Sequence, residues 1–404
     1  MTFDVERVRA QFPALSDGTA FFDGPGGTQV PERVAAAISD AMLGGLSNRD
    51  RGTGSGRRAD DIVVLARGAM ADLLGASAES VIFGRSMTAL TYDLARTLAT
   101  SWGPGDEVVV TSLDHDANVR PWVHAAEMSG ATLRWAHFDP TTGELPVEAI
   151  AEVLSPRTKL VAFTGASNVL GTMPDIQAIS AQAQDQGAWV FLDAVHLTPH
   201  VRIDMRALKV DFIACSPYKF FGPHLGVLAG RPDVLESLHP PKLLPSPTNI
   251  PERFELGTLP YEALAGVTAA VDFIADLSAT STGTRRERLN DAYAAVEAHE
   301  SVLVERMEQG LDQVPGLVRY SKASRRTPTV YFDVSSVPNS DLSAYCAAQS
   351  INVPASTFYA IEASRRIGLG DAGALRAGIS IYTTKSEVDR LIDAVRAGNV
   401  SVGR

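Results

Sequence analysis

The chain alternates short apolar runs with longer segments of helical apolar spacing. Ser80 to Phe83, Glu107 to Val110, Ala131 to Phe138, Lys159 to Phe163, Trp189 to Leu192 and Asp211 to Cys215 read as strands. Several are almost wholly apolar, the pattern of strands buried on both faces. Between them lie helical stretches, including one from Gly84 to about Leu98 and one from Pro146 to Leu154. This alternation predicts repeated βαβ units and a mostly parallel sheet. Upstream, Val5 to Phe12 reads as a short amphipathic helix, and Pro31 stands at the head of a helix from Glu32 to Leu43.

The pattern changes after Gly226. His239 to Pro251 is dense in proline, which excludes helix and central strand and predicts an extended loop. Tyr261 to Leu277 and Thr284 to Leu311 are then long helices. Leu317 to Tyr320, Thr329 to Val334, Ile351 to Val353 and Leu375 to Tyr382 are strands, with helices at Asp341 to Gln349 and Ser386 to Val395. Gly368, Gly370 and Gly373 spell GxGxxG, but no apolar strand precedes them, so they read as a loop and not a dinucleotide site. A chain of 404 residues is long for one core, so two lobes are expected.

Two apolar runs end in polar groups. The first ends in Asp193, with His196 three residues on; the second ends in Ser216-Pro217-Tyr218-Lys219. Open α/β sheets place ligand chemistry at strand carboxyl ends. An acid and a lysine on neighbouring strand ends suit pyridoxal phosphate, which needs an amine to condense with its aldehyde and a carboxylate facing its ring nitrogen. Taken alone, Asp193 also fits a turn cap and Lys219 a solvated loop lysine.

Other candidates are weaker in isolation. Gly84-Arg85-Ser86-Met87-Thr88 joins a strand to a helix start, a natural phosphate cradle and equally an N-capped helix. Arg49 to Arg58, RDRGTGSGRR, lacks a P-loop lysine; it reads as a mobile active-site loop whose arginines could meet a carboxylate, or as a solvated loop. His115, Asp116 and His124 lack tight metal-ligand spacing.

The residues Asp193-Ala194-Val195-His196, Ser216-Pro217-Tyr218-Lys219, Gly222-Pro223 and Gly226 together resemble the class V aminotransferases, the fold-type I PLP enzymes that include cysteine desulfurases. The resemblance extends over most of the chain. It implies an α/β fold-type I PLP transferase: a large doubly wound, mostly parallel sheet lobe and a small C-terminal α+β lobe. The expected division is an N-terminal arm (1–20) packing with the small lobe, a PLP-binding domain (21–260) and a C-terminal domain (261–404).

Residue by residue, the resemblance implies Met87, Thr88 and Ser216 at the phosphate, His115 stacked on the pyridine ring, and Asn168 and His196 at the phenolic oxygen. It implies Asp193 at the ring nitrogen, Lys219 as the Schiff-base amine and proton-moving base, and Arg376 on the substrate α-carboxylate. Arg253-Phe254-Glu255-Leu256-Gly257-Thr258 matches Arg-Phe-Glu-x-Gly-Thr, where Gly257 and Thr258 would reach the phosphate of a partner subunit, implying a homodimer. Desulfurases also carry a nucleophilic cysteine before the arginine. Here that stretch is Ile351 to Tyr359, and it holds no cysteine; the only two are Cys215 and Cys346.

Transamination is therefore the expected reaction. Elimination or racemisation on the same groups, a weak desulfurase, and an inactive PLP-fold regulator stay open. A net charge of −11 argues against a nucleic-acid or anionic-membrane partner. No run is long enough to span a bilayer, and two cysteines form no disulfide framework, so a cytoplasmic setting is expected.

Overall fold

The computed structural model describes residues 3–278 and 281–402. In chain order the strands are β1 (Ala20–Phe21), β2 (Val81–Gly84), β3 (Glu107–Thr111), β4 (Thr132–Ala136), β5 (Thr158–Thr164), β6 (Trp189–Asp193), β7 (Phe212–Cys215) and β8 (Gly226–Gly230), followed by β9 (Leu317–Arg319), β10 (Thr329–Val334), β11 (Ile351–Asn352), β12 (Ala355–Ser356) and β13 (Ala374–Gly378).

A seven-stranded sheet runs β2-β8-β7-β6-β5-β3-β4. Six strands share one direction and β8 alone opposes its neighbours β7 and β2. Strands β3, β5, β7 and β8 are buried almost throughout, because helices cover both faces. One face packs Val109, Val161, Val190 and Ile213 against Val63, Met70 and Ile179. The other packs Val108, Leu160, Phe191 and Phe212 against Leu94, Leu98 and Trp122. The sequence pattern foresees this sheet except for β8, whose GVLAG is short and weak in β-formers.

A second, antiparallel sheet runs β12-β13-β10-β9, and its core includes Val330, Phe332, Leu375, Leu391 and Val395. The N-terminal segment is tied to this half: β1 pairs in parallel with β11, and Arg9 meets Glu387 at 2.9 Å. The Glu32–Leu43 helix has the expected bounds. Thr284 begins the 27-residue helix Arg285–Leu311 with a reciprocal capping box to Glu287.

Three expectations need correction. The last strand ends at Gly378, and residues 379–382 leave the sheet to pack as a turn. The closing helix is longer than expected, Lys385–Val402. Most consequentially, the glycine-rich stretch at Arg49–Arg58 is not an open loop. Thr53 caps Gly56, and a 21-residue helix, Gly54–Leu74, starts inside it. Arg49 pairs with Asp60 at 2.8 Å and Glu252 at 3.1 Å, and Arg51 pairs with Asp60 and Asp61. Arg57 and Arg58 donate to the carbonyls of Arg51 and Gly45. These arginines hold the chain entry to the helix and are not among the residues that line the cavity described below. No described helix is long and apolar enough to cross a membrane.

Candidate active site

Strands β2, β3, β5, β6 and β7 point the same way, so the loops after them gather along one sheet edge. These loops deliver Met87 and Thr88, His115, Asn168, Asp193 with His196, and Ser216 with Lys219. They enclose a cavity of about 630 Å³, within the range of small-molecule sites. Arg376, on β13 of the second sheet, Ser356 at the end of β12, and Phe358 and Tyr359 just after it form its other wall.

Asp193 is buried at the end of β6 and accepts the Val195 N–H at 2.9 Å. Burial raises its carboxyl to about 6; the Val195 bond and the Lys219 charge pull the other way. Lys219 follows β7 in a tight turn and donates to the Pro25 carbonyl. Burial, reinforced by Arg376 and opposed by Asp193, lowers its amine to about 7. A lysine so placed is a nucleophile and a base near neutrality.

His115 is neutral: burial and the nearby Lys219 and Arg376 charges hold it at about 4. Its Nδ1 accepts the Ala117 N–H at 3.0 Å, and its ring stacks on Tyr359 at 5.5 Å. Below it, buried Asp114 bonds Thr111 and, at 2.7 Å, Asn118; Asn118 in turn accepts from Trp122 at 2.9 Å. Burial drives the Asp114 carboxyl well above its ordinary range, and the neighbouring Asp193 charge pushes the same way. His196 Nε2 lies between the Thr329 and Thr327 hydroxyls at 2.9 and 3.1 Å, and burial keeps the ring neutral.

Arg376 is buried, and desolvation lowers its guanidinium to about 9, still charged at neutral pH. Its Nη1 donates to the Asn168 carbonyl at 3.1 Å, while Nε has no partner among the described residues. Asn168 Nδ2 donates to Phe358 at 2.9 Å, leaving Oδ1 buried without a partner.

The structure thus brings nine expected residues to one cavity: Met87, Thr88, His115, Asn168, Asp193, His196, Ser216, Lys219 and Arg376. Gly257 and Thr258 stand apart. They are exposed, at the tip of a loop anchored by Arg253 on Glu236 and by Glu255 on Arg67 and Phe83 N–H. Neither cysteine lines the cavity; both are buried, and burial raises the Cys215 thiol and puts Cys346 at about 11. No group of three described His, Cys, Asp or Glu residues is placed to hold a metal.

The sequence reading missed Tyr92, Arg120 and Phe358 as wall residues, and did not single out Asp116, His124 or Ser356 as such. Helical spacing carried part of the signal. Tyr92 lies one turn beyond Thr88, and Arg120 lies four residues beyond Asp116, which it meets at 2.8 Å.

The donor set fits pyridoxal 5′-phosphate. A buried carboxylate, an amine of lowered basicity and a neutral flat imidazole share the cavity, and the N-terminus of the 13-residue helix Met87–Ala99 opens onto it. Fold and site together define the class: a fold-type I, PLP-dependent enzyme. The family profile described as Aminotransferase class-V matches residues 20–391, and the chain belongs to that family. It is 32% identical to an uncharacterized protein, MT3887, of Mycobacterium tuberculosis, over 98% of this chain and 99% of that one. It is 30% identical to the aminotransferase-like protein FGM3 of Gibberella zeae, covering 98% of each chain. A cysteine desulfurase of Klebsiella pneumoniae is also 30% identical, over 97% of each. Among solved structures, the Escherichia coli cysteine desulfurase CsdA superposes with a TM-score of 0.87 at 26% identity, covering 98% of this chain and 99% of that one.

Proposed function

We propose that this chain is an aminotransferase acting at the α-carbon of an amino acid. The observation that carries the reading is the convergence of Lys219, Asp193 and Arg376 on one cavity that neither cysteine lines. When bound, the cofactor supplies an electron sink that makes the α-proton labile. Arg376 binds the substrate α-carboxylate through its planar donors. Lys219 would hold the cofactor and, once free, serve as the base that moves the α-proton; burial lowers its amine to about 7, which suits that role near neutrality. Asp193 would keep the ring nitrogen protonated and His115 would lie against the ring. Met87, Thr88 and Ser216 would receive the phosphate, and Asn168 and His196 the phenolic oxygen.

Persulfide chemistry needs an exposed thiolate in an electropositive setting. Burial of Cys215 and Cys346 argues against it. Elimination or racemisation is the second reading, favoured by the Tyr218 ring 4.9 Å from the Lys219 amine, a further acid within the cavity. The reading also includes a homodimer, supported by the exposed Leu256-Gly257-Thr258 tip, which would complete a partner's phosphate site. It divides the chain into a cofactor unit (21–260) and a smaller unit (261–404) with residues 1–20 as an arm.

A panel of amino acids tests it. Conversion to the pyridoxamine form marks transamination, and ammonia with a keto acid marks elimination. No spectral change with any amino acid sinks both. Borohydride should fix the cofactor to a peptide containing Lys219; label on another lysine overturns the site.

A further inference from the structure

Behind Lys219, away from the large cavity, lies a second, smaller void. Its walls include Thr28, His196, His200, Lys219, Glu300 and Ser380. About 10 Å³ of it is open to the centre of a water, close to the least that one ordered water requires. Lys219 and His196 belong to both walls, so they separate the two spaces. The His200 ring meets His196 edge-on at 5.3 Å. Its Nδ1 lies 2.9 and 3.1 Å from the two Glu300 carboxylate oxygens. Its Nε2 has no hydrogen-bond partner among the described residues. His200 and Glu300 are both buried, and they come from distant elements, the turns after β6 and the middle of helix Arg285–Leu311. A buried carboxylate held by a single imidazole is destabilising beside an apolar pair of the same size, and the reaction outlined above leaves it without a task.

We propose that one water in this void carries a proton between the Lys219 amine and the His200–Glu300 pair. The Lys219 ammonium gives a proton to the water, and the water gives one to His200 Nε2. The Nδ1 proton of His200 passes to a Glu300 oxygen. Lys219 ends neutral, His200 ends neutral in its other tautomer, and Glu300 ends as the acid. One buried positive and one buried negative charge vanish together, and nothing between them stays charged.

Burial acts on both ends in the sense the transfer needs. It lowers Lys219 and raises Glu300. The other groups facing the path are Arg376 and Asp193 beside Lys219, neutral His196 beside His200, and Glu297 and Tyr293 beside Glu300. The inference rests on Lys219 being the reacting amine. Lys219 must be neutral to take the α-proton, so the relay acts on its amine once that amine is free of the cofactor. The pair is the local acceptor, and His200 and Glu300 are positioning residues that act through the water.

Glu300→Gln keeps the shape and removes the acceptor. We expect kcat at pH 7 to fall about 10²-fold, the lower range for a positioned proton-transfer group. KM for the amino acid should hold, and the loss should shrink as pH rises and solvent removes the proton. Infrared difference spectra on adding amino acid should show a protonated-carboxyl band in the natural protein that Glu300→Gln lacks. High-resolution crystals of the cofactor-free protein should show the water. Should Glu300→Gln not fold, His200→Gln is read in the same way. Wild-type kinetics, or an equal loss at every pH without the carboxyl band, overturns the relay. The two readings fail separately: covalent label away from Lys219 sinks the functional assignment, whereas label on Lys219 with a silent Glu300→Gln sinks the relay alone.

Discussion

The guanidinium of Arg376 lies 3.7 Å from the centroid of the Phe358 ring. That stack closes a triangle, because Arg376 donates to the Asn168 carbonyl and Asn168 donates to the Phe358 carbonyl. Phe358 and Tyr359 both hold positive φ, 50° and 61°, a conformation unfavourable for bulky side chains. The strain persists because the triangle over-determines the loop. An arginine pinned this way is oriented before any carboxylate arrives.

Arg376→Lys should therefore do more harm than a conserved charge suggests. The planar fork and the stack are both lost. We expect substrate affinity to fall roughly 10- to 100-fold, the worth of charged hydrogen bonds, with the cofactor band intact. Spectral titration with the amino acid checks this; unchanged affinity would remove Arg376 from the substrate site.

Gly226 should tolerate no side chain. A Cβ there would run into the backbone of Ser86 and Met87, at the head of the helix that opens onto the cavity. Gly226→Ala should lower stability by about 1–3 kcal/mol, as overpacking does, and weaken cofactor binding as the helix start shifts. Urea denaturation and cofactor titration measure the two effects.

The cofactor-free protein should show opposite pH trends from two of its buried groups, Lys219 and Asp193. Lys219 falls from 10.5 to about 7, so between those values the unfolded chain binds more protons and stability rises with pH. Asp193 rises from 3.8 to about 6, so across that window the native state binds more protons and stability falls as pH rises. Lys219→Met should flatten the alkaline rise, and Asp193→Asn the acidic fall, in urea midpoints taken across pH.

Leu244 is 97% exposed in the proline-rich loop, and Leu43 is 83% exposed at a helix end. The homodimer proposed above would cover leucines exposed in this way. Leu244→Glu should shift sedimentation toward a monomer. Thr258→Ala should weaken cofactor binding although Thr258 lies outside its own chain's cavity. A monomeric natural protein with full cofactor affinity would defeat the shared-site proposal.

Much of the fold was legible because buried parallel strands leave near-continuous apolar runs. β5 and β6, which hold Asn168 and Asp193 at their ends, were plain in this way. β8 was not: Gly226 faces the start of helix Met87–Ala99 and Gly230 faces Leu235, and the smallness of both is a demand of those neighbours. The arginines of RDRGTGSGRR misled for a related reason. Their partners Asp60 and Glu252 are 11 and 203 residues from Arg49, and only folding brings the latter near.

The sequence by itself determined which strand ends carry polar groups, and hence that Asp193 and Lys219 belong to one sheet edge; His115 entered only through the family resemblance. Local spacing is enough for that, since side-chain period and strand direction are short-range properties. Only the tertiary structure decided what surrounds them: the Phe358 loop closing over Arg376, and His200 and Glu300 paired behind Lys219. Those meetings span up to 100 residues and leave no periodic trace, because they are set by how two sheets and a long helix pack, and burial then tunes each charge.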